Sequence, residues 1–202
     1  MAVSTADLTA IFLALAARMQ AERDHLCALD GAVGDGDHGI AMAQGMAAAA
    51  AAVVSCDGGL QEMFNTAAKG FLNAVGASSG PLYATAFLRA GKACGPGAAM
   101  PRDRLSAVIA AMRDGIAQRG KAQPGQKTML DAWHPAAEAA LAGATAPEIL
   151  AAARAGAAAT RDMVATIGRA ERLGERSRGH LDPGAVSASM IIEELLRPSV
   201  RI

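Results

Sequence analysis

Six consecutive alanines, Ala47 to Ala52, lie inside an uncharged run from Gly39 to Cys56. Alanine is the best helix former and covers a pleated sheet poorly, so the run predicts a helix packed close against its neighbours. The whole chain shares this bias: 52% of its 202 residues are hydrophobic but only 3% are aromatic, which favours an all-α core of closely spaced helices. The run is about the length of a short membrane span, yet alanine and glycine dominate it and Gln44 interrupts it. A packed helix explains it better. The length suits one domain, residues 1–202, with a core large enough to need no disulfides.

Charge excludes further classes. Lys+Arg and Asp+Glu are both 19, with no basic stripe interleaved with aromatics, so neither nucleic acid nor a membrane surface is an expected partner. Cys27, Cys56 and Cys94 are odd in number and lack CxxC spacing, which suits reduced thiols in the cytoplasm. The N-terminus has no basic n-region and already carries Asp7, so no signal peptide is expected.

Start and stop signals divide the chain into eight helices. "STAD" at 4–7 is a capping-box pattern opening a helix to about Leu29. Further helices are expected over Ile40–Val54, Leu60–Val75, Pro81–Ala93 and Arg102–Arg119, then from about Thr128 with a kink at Pro135. "TAPE" at 145–148 opens one to about Ile167, and Asp182 with Pro183 caps the last, through about Leu196. No segment shows convincing strand alternation. An antiparallel up-and-down bundle would bring the loops at 30–39, 76–80, 120–128 and 176–184 to one end, because each follows an odd-numbered helix.

The first of these loops reads "DGAVGDGDHG". Asp30, Asp35 and Asp37 supply hard oxygen ligands, and the glycines at 31, 34, 36 and 39 let the backbone curl so that the carboxylates converge. The bland reading is a set of caps and turn formers. An EF-hand counted from Asp35 would place Met46 where its glutamate belongs, so that type of calcium site is excluded. A few carboxylates with room for water suit Mg²⁺, whose usual co-ligand is phosphate. Zinc lacks its Cys/His pattern.

Three more stretches could meet a phosphate ligand, and each alone is ordinary loop chemistry. "GASSGP" at 76–81 places Ser78 and Ser79 beside a helix start, where orphan N–H groups bind anions. "GKAQPGQKT" at 120–128 is not a P-loop, since its spacing is wrong and no strand precedes it, but Lys127 and Thr128 could still reach phosphate while Met129 packs on a flat base. "GERSRGHLDPGA" at 174–185 gathers Arg176, Arg178, His180 and Asp182 before a helix.

Together, "LDGAVGDGDHG", "GASSGPLYATAF", "GQKTMLDAW" and "GERSRGHLDPGA" closely resemble the L subunit of bacterial dihydroxyacetone kinase, over essentially the whole chain. The resemblance implies an eight-helix antiparallel barrel with ADP or ATP at one end, held through two Mg²⁺ ions. It assigns Asp30, Asp35 and Asp37 to the metals and His38, Ser78 and Ser79 to the phosphates. Gly125, Thr128, Met129, Arg176, Asp182 and Gly184 fall at the rest of the nucleotide site. No residue is a nucleophile in such metal-assisted transfer.

The implied reaction phosphorylates dihydroxyacetone or a related short keto-sugar held on a separate K subunit. An M subunit rephosphorylates the ADP in phosphoenolpyruvate-dependent relatives, whereas others exchange ATP. A homodimer is a further candidate assembly. The alternative is a non-catalytic, ADP-loaded signalling module that binds a transcriptional regulator. Two departures stand out: Gly76-Ala77 replaces the family's usual Gly-Gly, and Gly125-Gln126-Lys127-Thr128 replaces its frequent Gly-Asp-Lys-Thr.

Overall fold

Ser4 opens the first helix as its spacing predicts. Its hydroxyl accepts the Asp7 N–H at 3.2 Å while Asp7 Oδ2 accepts the Ser4 N–H at 2.8 Å. The computed structural model describes residues 2–197. In order they form β1 (Ala2–Ser4), α1 (Thr5–Ala21), α2 (Arg23–Gly31), α3 (His38–Val54), α4 (Leu60–Ala74) and α5 (Ser79–Cys94). There follow β2 (Ala99–Pro101), α6 (Leu105–Gly120), α7 (Leu130–Leu141), α8 (Ala146–Ala159) and α9 (Pro183–Leu196), with 3₁₀ turns at Arg102–Arg104, Thr160–Asp162 and Arg169–Ser177.

The fold is mostly helical, with nine α-helices among the described residues where eight are expected. The difference is the first expected helix, which divides at Glu22 into α1 and α2. Neither glycine nor proline marks that break. A small strand pair was also not expected: β1 and β2 join antiparallel, with Val3 opposite Met100. Strands of three residues are too short to show a period of two.

α8 stops at Ala159, well short of Ile167, because Thr160 is tied elsewhere. Its carbonyl accepts the Lys127 ammonium, and its hydroxyl donates to Ala157 O while accepting the Asp182 N–H. α5 starts two residues earlier than its proline suggests, at Ser79.

Successive helices from α3 to α9 pack one on the next, α1 lies on α3, and α9 returns against both α1 and α2. Small residues set the spacing. A side chain at Gly45 would run into the Phe71 ring and Val75, and Ala49 and Ala67 are fully buried. The chain has four phenylalanines and one tyrosine, and all five gather in one cluster, Phe12, Phe64, Phe71, Tyr83 and Phe87. Pro135 sits inside α7, where it cannot bond the carbonyl of Asp131; the Gly156 backbone of α8 packs directly against that carbonyl. Among the described residues no helix is long and apolar enough to cross a membrane.

Candidate functional site

The aspartate loop joins α2 to α3, and backbone hydrogen bonds to Asp30 shape it. Asp30 is buried, and its Oδ2 accepts the N–H groups of Asp37 at 3.0 Å and His38 at 3.2 Å. Gly36 lies at φ +81°, a conformation side chains resist, and a Cβ at Gly34 would collide with the Asp30 carboxylate. The result is convergence: one carboxylate oxygen each of Asp30, Asp35 and Asp37 lies within 4.8 Å of the others. Asp35 and Asp37 are exposed.

These carboxylates help line a cleft of about 400 Å³, within the usual range for small-molecule sites. The four loops expected at one end do meet there: Asp30–His38, Ala77–Ser79, Gly120–Met129 and Asp182–Gly184 all contribute to its walls. Of the residues singled out from sequence, Asp30, Asp35, Asp37, His38, Ser78, Ser79, Thr128, Met129, Asp182 and Gly184 line it. Gly125 and Arg176 lie outside the lining, both exposed. Leu82, Ile116, Ala122 and Met129 make one part of the wall apolar, suited to a flat ring.

His38 Nε2 lies 2.9 Å from Ser187 Oγ, and that hydroxyl donates to Gly184 O at 3.1 Å. This polar contact ties the His38 ring to α9. Burial holds the His38 pKa below its ordinary value, against the pull of the Asp30 charge. Asp182 caps α9 by accepting the Ala185 N–H at 2.7 Å. Burial pushes its carboxyl up to about 7; the Ala185 bond and Lys127 oppose this, and Asp131 and Asp30 add to it.

Lys127 also lines the cleft, and it follows the ordinary loop reading of its stretch. Its ammonium is buried and donates to two backbone carbonyls, Thr160 O and His180 O, each at 2.5 Å, so it ties loops together instead of reaching for phosphate. Burial lowers its pKa, against the charges of Asp182, Asp162 and Asp131. Two residues escaped the sequence reading. Asp131 accepts the N–H groups of Gly125 and Thr128 and so shapes the loop before α7; the signal was present, because Thr128 and Asp131 have the same S/T-x-x-D spacing as Ser4 and Asp7. Arg169 had no local signal. Its guanidinium pairs with Asp35 and lies 3.8 Å from Asp37.

The donor set fits a hard dication. It consists of carboxylate oxygens only, it converges, and a cationic guanidinium already stands against it. Fold and cleft together define a helical domain with a carboxylate-lined small-molecule site. The chain belongs to the DAK2 domain family, whose pattern matches residues 32–197.

It is 41% identical to the ADP-binding subunit DhaL of PEP-dependent dihydroxyacetone kinase 1 from Listeria innocua, over 91% of each chain. It is 35% identical to the corresponding subunit from Escherichia coli, over 86% of this chain and 87% of that one. Among solved structures, the dihydroxyacetone kinase from C. freundii in complex with AMP-PNP and Mg²⁺ superposes with a TM-score of 0.71 at 28% identity, covering 93% of this chain. This chain spans about a third of that kinase.

Proposed function

We propose that residues 1–202 work as a single nucleotide-binding domain, the ADP-binding subunit of a dihydroxyacetone kinase. Its helices are read as an eight-helix antiparallel up-and-down barrel, α1 and α2 counting as one. The observation that carries the reading is the convergence of Asp30, Asp35 and Asp37 in the lining of a cleft that also has apolar residues. On this reading the aspartates hold two Mg²⁺ ions, which when bound neutralise charge on phosphate oxygens.

The chain's own residues position the nucleotide. Ser78, Ser79 and the start of α5 face its phosphates, with His38 beside them. Thr128, Met129, Asp182 and Gly184 border its ribose and base, as the cleft lining allows. Gly125 and Arg176 would have to reach the nucleotide from outside that lining. No nucleophilic side chain is needed.

The acceptor is dihydroxyacetone or a related short keto-sugar on a separate K subunit. An M subunit that recharges the bound ADP from phosphoenolpyruvate is the favoured second partner, since relatives at 41% and 35% identity are named PEP-dependent and one at 39% PTS-dependent. The cytoplasm is the compartment this reading requires, and Cys27, Cys56 and Cys94 are all free thiols.

The test mixes the chain with K and M subunits, dihydroxyacetone, and either phosphoenolpyruvate or ATP as donor. Dihydroxyacetone phosphate should form from phosphoenolpyruvate with the bound ADP retained. Asp35→Asn and Asp37→Asn should each lower transfer and ADP content at least about tenfold, since each removes a charged ligand. Unchanged ADP content and activity in both variants would overturn the metal-site reading.

A further inference from the structure

We propose that Ser187, backed by Tyr83, Trp133 and one buried water molecule, is a positioning residue that holds the His38 ring at the cleft. This rests on the nucleotide reading above, in which His38 stands beside the phosphates. Three helices send polar groups into an otherwise apolar core. Tyr83 of α5, Trp133 of α7 and Ser187 of α9 are each fully buried, and all three lie outside the cleft lining.

The Tyr83 ring packs on Phe71 and Phe87, with centroids 5.6 and 6.2 Å away, and its hydroxyl lies toward Trp133 and Ser187. Burial drives the phenol pKa upward while Trp133 and Ser187 pull it back, so both polar groups stand close. The approach stops short of a bond: among the described residues neither Tyr83 Oη nor Trp133 Nε1 has a hydrogen-bond partner of good geometry. Two buried donors without acceptors are costly, and an indole N–H can only donate. A water molecule between them accepts from the Trp133 N–H and the Tyr83 O–H and donates to Ser187 Oγ, whose own proton goes to Gly184 O. That gives it about three hydrogen bonds, the usual number for a buried water.

Ser187 carries the link to the cleft. Its Oγ lies 2.9 Å from His38 Nε2, and both His38 and Gly184 line the cleft. Asp30 holds the other end of the same residue, since its Oδ2 accepts the His38 N–H at 3.2 Å. The backbone of His38 is thus fixed from the aspartate loop and its ring from α9. Rotation of the ring would break the Ser187 contact, so the ring's aim depends on where Ser187 sits. The water and its two donors set that place, because Ser187 Oγ cannot shift without uncovering Tyr83 and Trp133 as well.

Trp133 is the chain's one tryptophan, so its indole N–H gives a single nuclear magnetic resonance signal in the full chain. That proton should show a nuclear Overhauser effect to a long-lived water. With Mg²⁺ present, adding ADP should shift the signal, because His38, Ser187 and the water connect the cleft to the indole. Ser187→Ala should remove the ADP-induced shift and release a fluorescent ADP analogue about three- to tenfold faster, the worth of one neutral hydrogen bond. Tyr83→Phe keeps the ring packing and removes only the hydroxyl, so it should fold, lose the water effect, and release the analogue at a rate between those of wild type and Ser187→Ala. Wild-type release rates in both variants, or an ADP-induced shift that survives Ser187→Ala, would overturn the positioning role and leave the nucleotide site standing. A wild type without the indole–water effect would overturn the water. A wild type that binds no ADP would overturn the nucleotide reading together with the role of Ser187.

Discussion

Asp182 shows how burial and capping act on one side chain. Its folded pKa of about 7 lies above the ordinary carboxylate value, so the folded chain holds a proton that the unfolded chain has already lost between about pH 4 and pH 7. The protonated form adds stability that is fully present below about pH 4 and is lost as pH rises through 7. Asp182→Asn keeps an oxygen to accept the Ala185 N–H but cannot titrate. Denaturant unfolding of the metal-free protein should therefore lose up to about 1.4 kcal/mol per pH unit of slope in that window. An unaltered slope in the variant would assign the dependence to another group.

At the scale of elements, a few large side chains hold helices that alanine brings close. Phe87 of α5 meets Phe12 of α1, Phe64 and Phe71 of α4 and Tyr83 of its own helix, with ring centroids 5.4 to 6.3 Å apart. Phe87→Ala should cost about 3–5 kcal/mol in chemical denaturation, because neighbouring helices already in contact through alanine and glycine have little room to collapse into the cavity. Loss below about 1 kcal/mol would show that the cluster repacks. The capping boxes at Ser4 and Thr145 were legible in advance because both partners lie three residues apart. The end of α8 was not, since Lys127 and Thr160 are 33 residues apart and no local pattern records their contact.

For the whole molecule, the division that matters is between the helical body and the loops of the cleft. Three carboxylates stripped of their counter-charge repel one another, so removing Mg²⁺ and nucleotide with EDTA and dialysis should loosen the loops before the helices. Hydrogen exchange should quicken at residues 30–39 and 76–80 while the cores of α4, α5 and α9 keep their protection. Equal acceleration throughout would mean that the ligand stabilises the whole fold alike.

The amino-acid sequence by itself determined the helical class, most helix starts and the identity of the acidic loop. Each of these depends on residues within a few positions of one another: alanine propensity, S/T-x-x-D spacing, and aspartates set between glycines. It also carried the four loop motifs and, through the up-and-down order of the helices, their meeting at one end. Only the tertiary structure decided that the first helix divides at Glu22, that Lys127 is buried between Thr160 O and His180 O, that His38 leans on Ser187 across 149 positions, and that Arg169 stands against Asp35. The physical reason is that burial and long-range charge are properties of the packed chain. An ammonium or a guanidinium finds its partner only after the helices have set the loops side by side.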